Sequence, residues 1–304
     1  LTRNLITKQL SSMANLKEIR NRIVSVSSTM QITSAMKMVS ASKLKRAQDA
    51  MTQMRPYAEK LQDILSNLSA SLDTSENVYS QEREVENVLL VVVTSNRGLC
   101  GGFNNYVVKK ALKMANEDFK GKNVSVLPIG KKATDSFKKT EYNVKGSFLP
   151  SHTEEVWNAL NFSNSNKIAD KIMSAYEKGY LDKIVVVYNK FKNVATQIPT
   201  PTQFLPIIQT ETDANMATAD YIFEPSKEEI VTELIPKSLR TQFYSFLLES
   251  YAGEHGARMT AMHKATDNAS DLNKALKLQY NKARQAAITN EILEIVGGAE
   301  ALNG

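Results

Sequence analysis

The chain has 304 residues, 42% of them hydrophobic, and a formal net charge of +6. That length allows about two domains and that apolar content allows a buried core. The longest unbroken apolar run, Val88–Val93, is far short of the ~20 residues a membrane-spanning helix needs. The chain is therefore expected to be soluble, or attached to a membrane only through partners. Cys100 is the only cysteine, which excludes an intramolecular disulfide and fits a reducing compartment. His152, His255 and His263 show no metal-ligand spacing, and no metal or cofactor is expected.

Residues 1–12 contain no acidic side chain and precede Met13. They read as a targeting remnant or as sequence upstream of a start at Met13, and are set apart from the fold.

Residues 15–70 read as one long helix. Ile19, Ile23, Val26, Met30, Thr33, Lys37, Ser40, Leu44, Ala47, Met51, Met54, Ala58, Leu61, Leu65 and Leu68 alternate in steps of four and three. That spacing describes a coiled-coil seam. At 1.5 Å per residue the helix is roughly 80 Å long, which suits a rod. Thr33, Lys37 and Ser40 interrupt the seam with polar groups, while Ile32, Met36 and Val39 form a second apolar face. The segment thus has the makings of two simultaneous contacts, and its methionines offer an adaptable surface. Pro56 is expected to kink the helix without stopping it, because the seam resumes in phase at Ala58. Between Ala14 and Lys60, nine basic residues face only Glu18, Asp49 and Glu59, so nine minus three supplies the whole +6. A basic rod seeks an acidic partner: nucleic acid, anionic lipid or an acidic protein surface.

After a polar stretch at 72–86 the period changes. Val88–Thr94 reads as a buried strand, followed by a glycine-rich loop at 95–104 and an amphipathic helix near Tyr106–Phe119. A short strand at Val124–Pro128, a helix near Lys131–Lys138 and a strand-like stretch at Tyr142–Phe148 come next. Asn164–Lys178 reads as helix and Lys183–Phe191 as a second strongly apolar strand. Alternating strands and helices predict a mostly parallel sheet with helices on its faces. Pro199, Pro201 and Pro206, among the β-formers of 194–223, predict edge strands or a return hairpin.

Residues 226–301 read as a second long helix, roughly 110 Å at 1.5 Å per residue. Ser226 and Glu229 have capping-box spacing, Pro236 is expected to bend the helix, and Gly297 with Gly298 to end it. Its seam is predicted to run Met262, Ala265, Ala269, Leu272, Leu276, Gln279, Ala283, Ala286. The fold expected is α/β plus a long antiparallel coiled coil. The N-terminal helix (13–75) and C-terminal helix (226–301) pair, with a Rossmann-like α/β domain (86–223) inserted between them.

Chemistry has one obvious candidate location. A glycine-rich turn between a buried strand and a helix is where phosphates bind in α/β folds. Here it reads SNRGLCGG, with neither the Gly-Lys-Ser/Thr of a P-loop nor GxGxxG. A nucleotide-binding enzyme using 95–104 is one alternative, and a basic coiled-coil nucleic-acid binder another. Few aromatics are available for base stacking, which argues against the latter. Glycines also serve tight turns, and Arg97 on this loop can meet an acidic protein surface. No histidine lies near Cys100 in sequence, and no Ser-His-Asp arrangement or HExxH stands out.

MANLKEIRNRI (13–23), QITSAMKMVSASKLKRAQ (31–48), TSNRGLCGGFN (94–104), ARMTAMHKATDNA (257–269) and YNKARQAAITNEILEIVGGA (280–299) together resemble the gamma subunit of the rotary, proton-translocating ATP synthase, bacterial type. The resemblance spans Met13 to Ala301. It implies a central rotating shaft that couples proton flow through the membrane ring to conformational cycling of catalytic sites on beta subunits. It implies no catalytic residue in this chain. The partners implied are the alpha and beta subunits, an epsilon-type subunit and the c-ring, and no nucleic acid. Arg284, Gln285 and Thr289 match family contacts with an acidic lever loop of beta. Met36 with Lys37 matches the segment facing that lever, and Arg97 a further beta-facing element. The place implied is the cytoplasmic face of the bacterial inner membrane, or alternatively the matrix face of the mitochondrial inner membrane. A single cysteine and no insert imply no thiol switch.

Overall fold

The computed structural model describes residues 2–69, 78–81, 83–142, 148–207 and 227–303, and side chains within 16–61, 78–81, 83–142, 148–207 and 233–300. Helix α1 runs Thr2–Ser69 and the last helix, α5, runs Lys227–Asn303. Between them lie β1 (Asn87–Val93), α2 (Phe103–Lys113), β2 (Asn123–Ile129), α3 (Lys131–Phe137), α4 (Phe162–Glu177), β3 (Lys183–Phe191) and β4 (Gln197–Leu205). The strand-like stretch at 142–148 falls mostly outside the described residues, as do the cap Ser226 and the end of the proline-bearing segment. Two compact units emerge: residues 1–39 with 261–304, and residues 40–260.

In the first unit α1 and α5 run antiparallel. Arg20 meets Tyr280, Thr33 meets Thr266 and Lys37 meets His263, so position falls on one helix as it rises on the other. On α1 the predicted stripe is the inward face here: Ile19 and Thr33 are buried, and Ile23, Val26, Met30 and Lys37 are half-buried. On α5 the predicted stripe needs correction. Leu272 is 51% exposed, and Gln279 and Ala286 are also exposed. Asn273 is buried and Tyr280 and Ala287 are half-buried, so the seam runs Met262, Ala269, Asn273, Leu276, Tyr280, Ala283, Ala287. One residue is about 100° of helix rotation, so choosing Leu272 for its hydrophobicity turned alternate seam positions off the partner. Tyr280 has a partner across the seam: Arg20 Nη2 donates to its Oη at 2.8 Å.

In the second unit the sheet has the order β2-β1-β3-β4. β1 pairs in parallel with both β2 and β3, Val91 lying opposite Leu127 on one side and Val186 on the other. Both faces are covered, which is why β1 and β3 are apolar without alternation. Val88, Leu90 and Val92 pack with Val107, Ala111 and Phe137 of α2 and α3. Leu89, Val91 and Val93 pack with Ile172 and Tyr176 of α4 and with Phe243 and Leu247 of α5. β4 returns antiparallel to β3 along the sheet edge, after a turn in which Asn193 Oδ1 accepts from the amides of Ala195 and Thr196. Pro199 and Pro201 are tolerated there because an edge strand needs donors on one side only. Leu44 and Ala47 of α1 close a smaller cluster with Leu248 and Ala252 of α5.

Neither internal proline ends its helix. Pro56 is exposed, so the carbonyl its missing N–H leaves free faces water. Gly297 and Gly298 do not end α5, contrary to expectation: the helix continues to Asn303. Each costs only about 1 kcal/mol relative to alanine in a helix, too little to stop one by itself.

The corrected seam makes a direct prediction. Leu276→Ala, at a position 7% exposed, should cost about 2 kcal/mol in urea denaturation, and Leu272→Ala under ~0.5 kcal/mol. Equal costs would restore the hydrophobicity-based seam.

Candidate functional site

The 95–104 loop leaves the C-terminal end of β1 and enters α2. It is packed by its own side chains. The Ser95 amide donates to Asn104 Oδ1 at 2.9 Å, and Ser95 Oγ donates to the Arg97 carbonyl at 2.7 Å. Asn104 Nδ2 donates to Ser95 Oγ at 2.9 Å and to Cys100 Sγ at 3.3 Å. Gly102 lies under the ring of Tyr106, where a Cβ would come within 2.6 Å of the ring and displace it. Burial pushes the Cys100 thiol up, which keeps it protonated and structural. Arg97 projects from the loop and is exposed.

The loop is bound from α5 by Arg258, a residue the sequence reading gave no role. Its Nη1 donates to Glu254 Oε1 at 2.7 Å and to His255 Nδ1 at 3.3 Å. Its Nη2 donates to the carbonyls of Arg97 at 3.1 Å and Gly98 at 3.3 Å. Burial raises the Glu254 carboxyl, and the guanidinium opposes that shift. His255 packs edge-on against Tyr251, and its Nε2 has no hydrogen-bond partner among the described residues. Burial, then the charges of Arg258 and Lys43, lower its pKa to about 3. The only sequence signal for this cluster was the Glu254–Arg258 spacing of four within a helix.

The other expected contact residues lie in the two-helix unit. Met36 and Lys37 are half-buried, with Lys37 Nζ 3.5 Å from His263 Nδ1. Arg284, Gln285 and Thr289 are exposed along α5, where Thr289 Oγ1 donates back to the Gln285 carbonyl at 2.9 Å. Beside them Ile288, Ile292, Leu293, Ile295 and Val296 are exposed apolar side chains, as are Ile32 and Val39 on α1. Arg97 belongs to the sheet-bearing unit and is not among them. No described helix is long and apolar enough to cross a membrane.

The sequence model of the ATP synthase family matches residues 15–302. The ATP synthase gamma chain of Flavobacterium johnsoniae is 60% identical over 293 residues, covering 96% of this chain and all of the relative. That of Cytophaga hutchinsonii is 54% identical and that of Chlorobium phaeobacteroides 46%, with 96% of this chain and all of the relative covered in each case. The chain belongs to the ATP synthase gamma family. A gamma chain forms the central shaft of that enzyme. The fold agrees with solved structures of low identity. The Euglena gracilis mitochondrial ATP synthase rotor is 20% identical with a TM-score of 0.59, over 90% of this chain and 99% of that one. The Tetrahymena thermophila mitochondrial central stalk is 22% identical with a TM-score of 0.54, over 77% and 99%. The paired terminal helices and the inserted sheet domain are thus the fold of a gamma chain.

His255 is expected to lower the stability of this gamma chain in acid. Its folded pKa of about 3 lies below the unfolded value of 6.5, so between those values the unfolded chain binds the extra proton. The stability His255 contributes is complete above pH 6.5 and is lost progressively as pH falls through 3. His255→Gln, which keeps an acceptor for Arg258, should flatten that decline in urea denaturation between pH 7 and pH 5. An unchanged slope would show that other groups cause it.

Proposed function

We propose that this gamma chain works as a non-catalytic rotating shaft. It meets the alpha and beta subunits of the catalytic ring along its paired helices and an epsilon-type subunit and the c-ring elsewhere. It stands on the cytoplasmic face of the bacterial inner membrane, a location supported by the bacterial source of its relatives. The observation that carries the reading is the α5 surface on which exposed Arg284, Gln285 and Thr289 lie beside exposed Ile288 and Ile292. Polar and cationic groups of this kind suit an acidic lever on beta. The apolar side chains suit a greasy bearing that makes few directional bonds. Met36 and Lys37 face the same lever from α1, and Arg97 meets a further element of beta.

Energetics support a contact that must be released. An exposed ion pair contributes only about 0–1 kcal/mol, so no angular position traps the shaft. Charge complementarity still favours one orientation over its neighbours. ATP chemistry then belongs to beta, and this chain supplies the asymmetry that drives the three sites through different states.

Purified alone, the chain should turn over no ATP, and added to alpha and beta subunits it should restore hydrolysis. Turnover by the chain alone would defeat the non-catalytic assignment. Replacing both Arg284 and Gln285 with alanine should reduce rotational torque while leaving the chain's unfolding free energy in urea within about 0.5 kcal/mol of wild type. Torque and hydrolysis equal to wild type would remove these residues from the contact.

A further inference from the structure

The loop after β1 adopts a conformation that its own residues disfavour. Leu99 has a φ of 62°, in the left-handed region where a leucine's Cβ crowds the backbone. Its side chain is 65% exposed. Strain of this kind persists where surrounding structure over-determines it, and it concentrates at clamps and contact sites. Ser95 Oγ holds the Arg97 carbonyl from within the loop, and the group that holds the Arg97 and Gly98 carbonyls together is on α5. Arg258 Nη2 draws the Arg97 and Gly98 carbonyls, the two that precede Leu99, onto one nitrogen. With both carbonyls turned inward, the chain reverses at Leu99 and carries that side chain outward. The guanidinium is itself fixed by Glu254, both side chains being about nine-tenths buried. A buried arginine spent on two loop carbonyls is a costly brace for a surface turn, and stability alone does not call for it.

What the brace displays has a definite chemistry. Arg97 and Leu99 are both exposed on the loop, the exposed Tyr106 covers Gly102, and the Lys132 side chain approaches Gly98. The display is an apolar projection with cationic neighbours.

We propose that Arg258 is the positioning residue of this loop, holding Leu99 outward beside Arg97 as a combined apolar and cationic contact for an acidic, apolar-lipped surface of the catalytic ring. The proposal rests on the reading of Arg97 as a ring contact. Leu99 adds to that contact a grip insensitive to salt, and Arg258 fixes the loop to the part of α5 that lies in the same unit. Lysine cannot replace Arg258 fully, because a single ammonium lacks the planar fork that reaches Glu254 and the loop together.

The test uses ATP synthase assembled with this chain, compared at equal amounts of assembled complex. The ratio of ATP-driven proton pumping to ATP hydrolysis is measured for Arg258→Gln, Arg258→Lys, Leu99→Ala and Arg97→Ala, with hydrogen exchange at the amides of residues 99–101. Arg258→Gln should lower the ratio severalfold and speed exchange about tenfold, the size set by one lost charge-assisted hydrogen bond. Arg258→Lys should fall between. Leu99→Ala should lower the ratio without reducing assembly, and combined with Arg258→Gln should add nothing further. If Arg258→Gln reduces only assembly and the assembled complex keeps the wild-type ratio, while Arg97→Ala still lowers it, the positioning role fails alone. If Arg97→Ala and Leu99→Ala both leave the ratio unchanged, the loop is no ring contact and the reading beneath the proposal fails too.

Discussion

A helix of this length survives in water only by burying a stripe along another helix. Propensity contributes little over 68 or 77 residues beside the tertiary contact. The two ends of the chain therefore have to meet, and everything between them is confined to an insertion. This requirement accounts for the antiparallel pairing from Arg20–Tyr280 to Lys37–His263. It also accounts for α5 serving twice: its residues from Met262 to Ala287 carry the seam with α1, while Phe243 and Leu247 seal one face of the sheet.

The seam that meets this requirement is not built for greatest stability. Thr33 bonds to Thr266, Arg20 to Tyr280, and Asn273 is buried where a leucine would pack better. Polar seam layers lower stability and in return specify register, since only one alignment pairs Thr33 with Thr266 and Arg20 with Tyr280. A shaft needs that specification. A slip of one turn would displace every outward-facing contact residue, including Arg284, Gln285 and Thr289, relative to α1. The leucine and isoleucine side chains that a stable seam would have used inward stand outward instead, at Leu272, Ile288 and Ile292.

The sheet-bearing unit applies the same logic with different means. Its core is conventional, with β1 covered on both faces and an antiparallel edge strand protected by prolines. Its unusual expenditure is the buried Glu254–Arg258 pair. Such a pair contributes little net stability once desolvation is counted. It does fix geometry, because a guanidinium tied to a carboxylate and to two carbonyls has no rotational freedom left. The glycine-rich loop thereby becomes a rigid projection of α5. Its interior is filled by Ser95, Cys100 and Asn104, the space that a phosphate cradle would leave open.

The sequence by itself determined the periodicities. Steps of four and three along α1 located its buried stripe, unbroken apolar runs located β1 and β3, and prolines at 199 and 201 placed the return strand at an edge. These are local signals, each enforced by one element's own geometry. The tertiary structure decided what depends on a partner. Asn273 and Tyr280 took the seam positions that 3-4 spacing through Leu272 assigned to Leu272 and Gln279, and Tyr280 is held there by a hydrogen bond from Arg20, distant along the chain. Gly297 and Gly298 were passed through, because a local penalty of about 1 kcal/mol each does not terminate a helix. Arg258 acquired its role only when folding brought it to the carbonyls of Arg97 and Gly98, far away along the chain. A hydrogen bond between distant residues leaves no period in the sequence, so no reading of spacing could have found it.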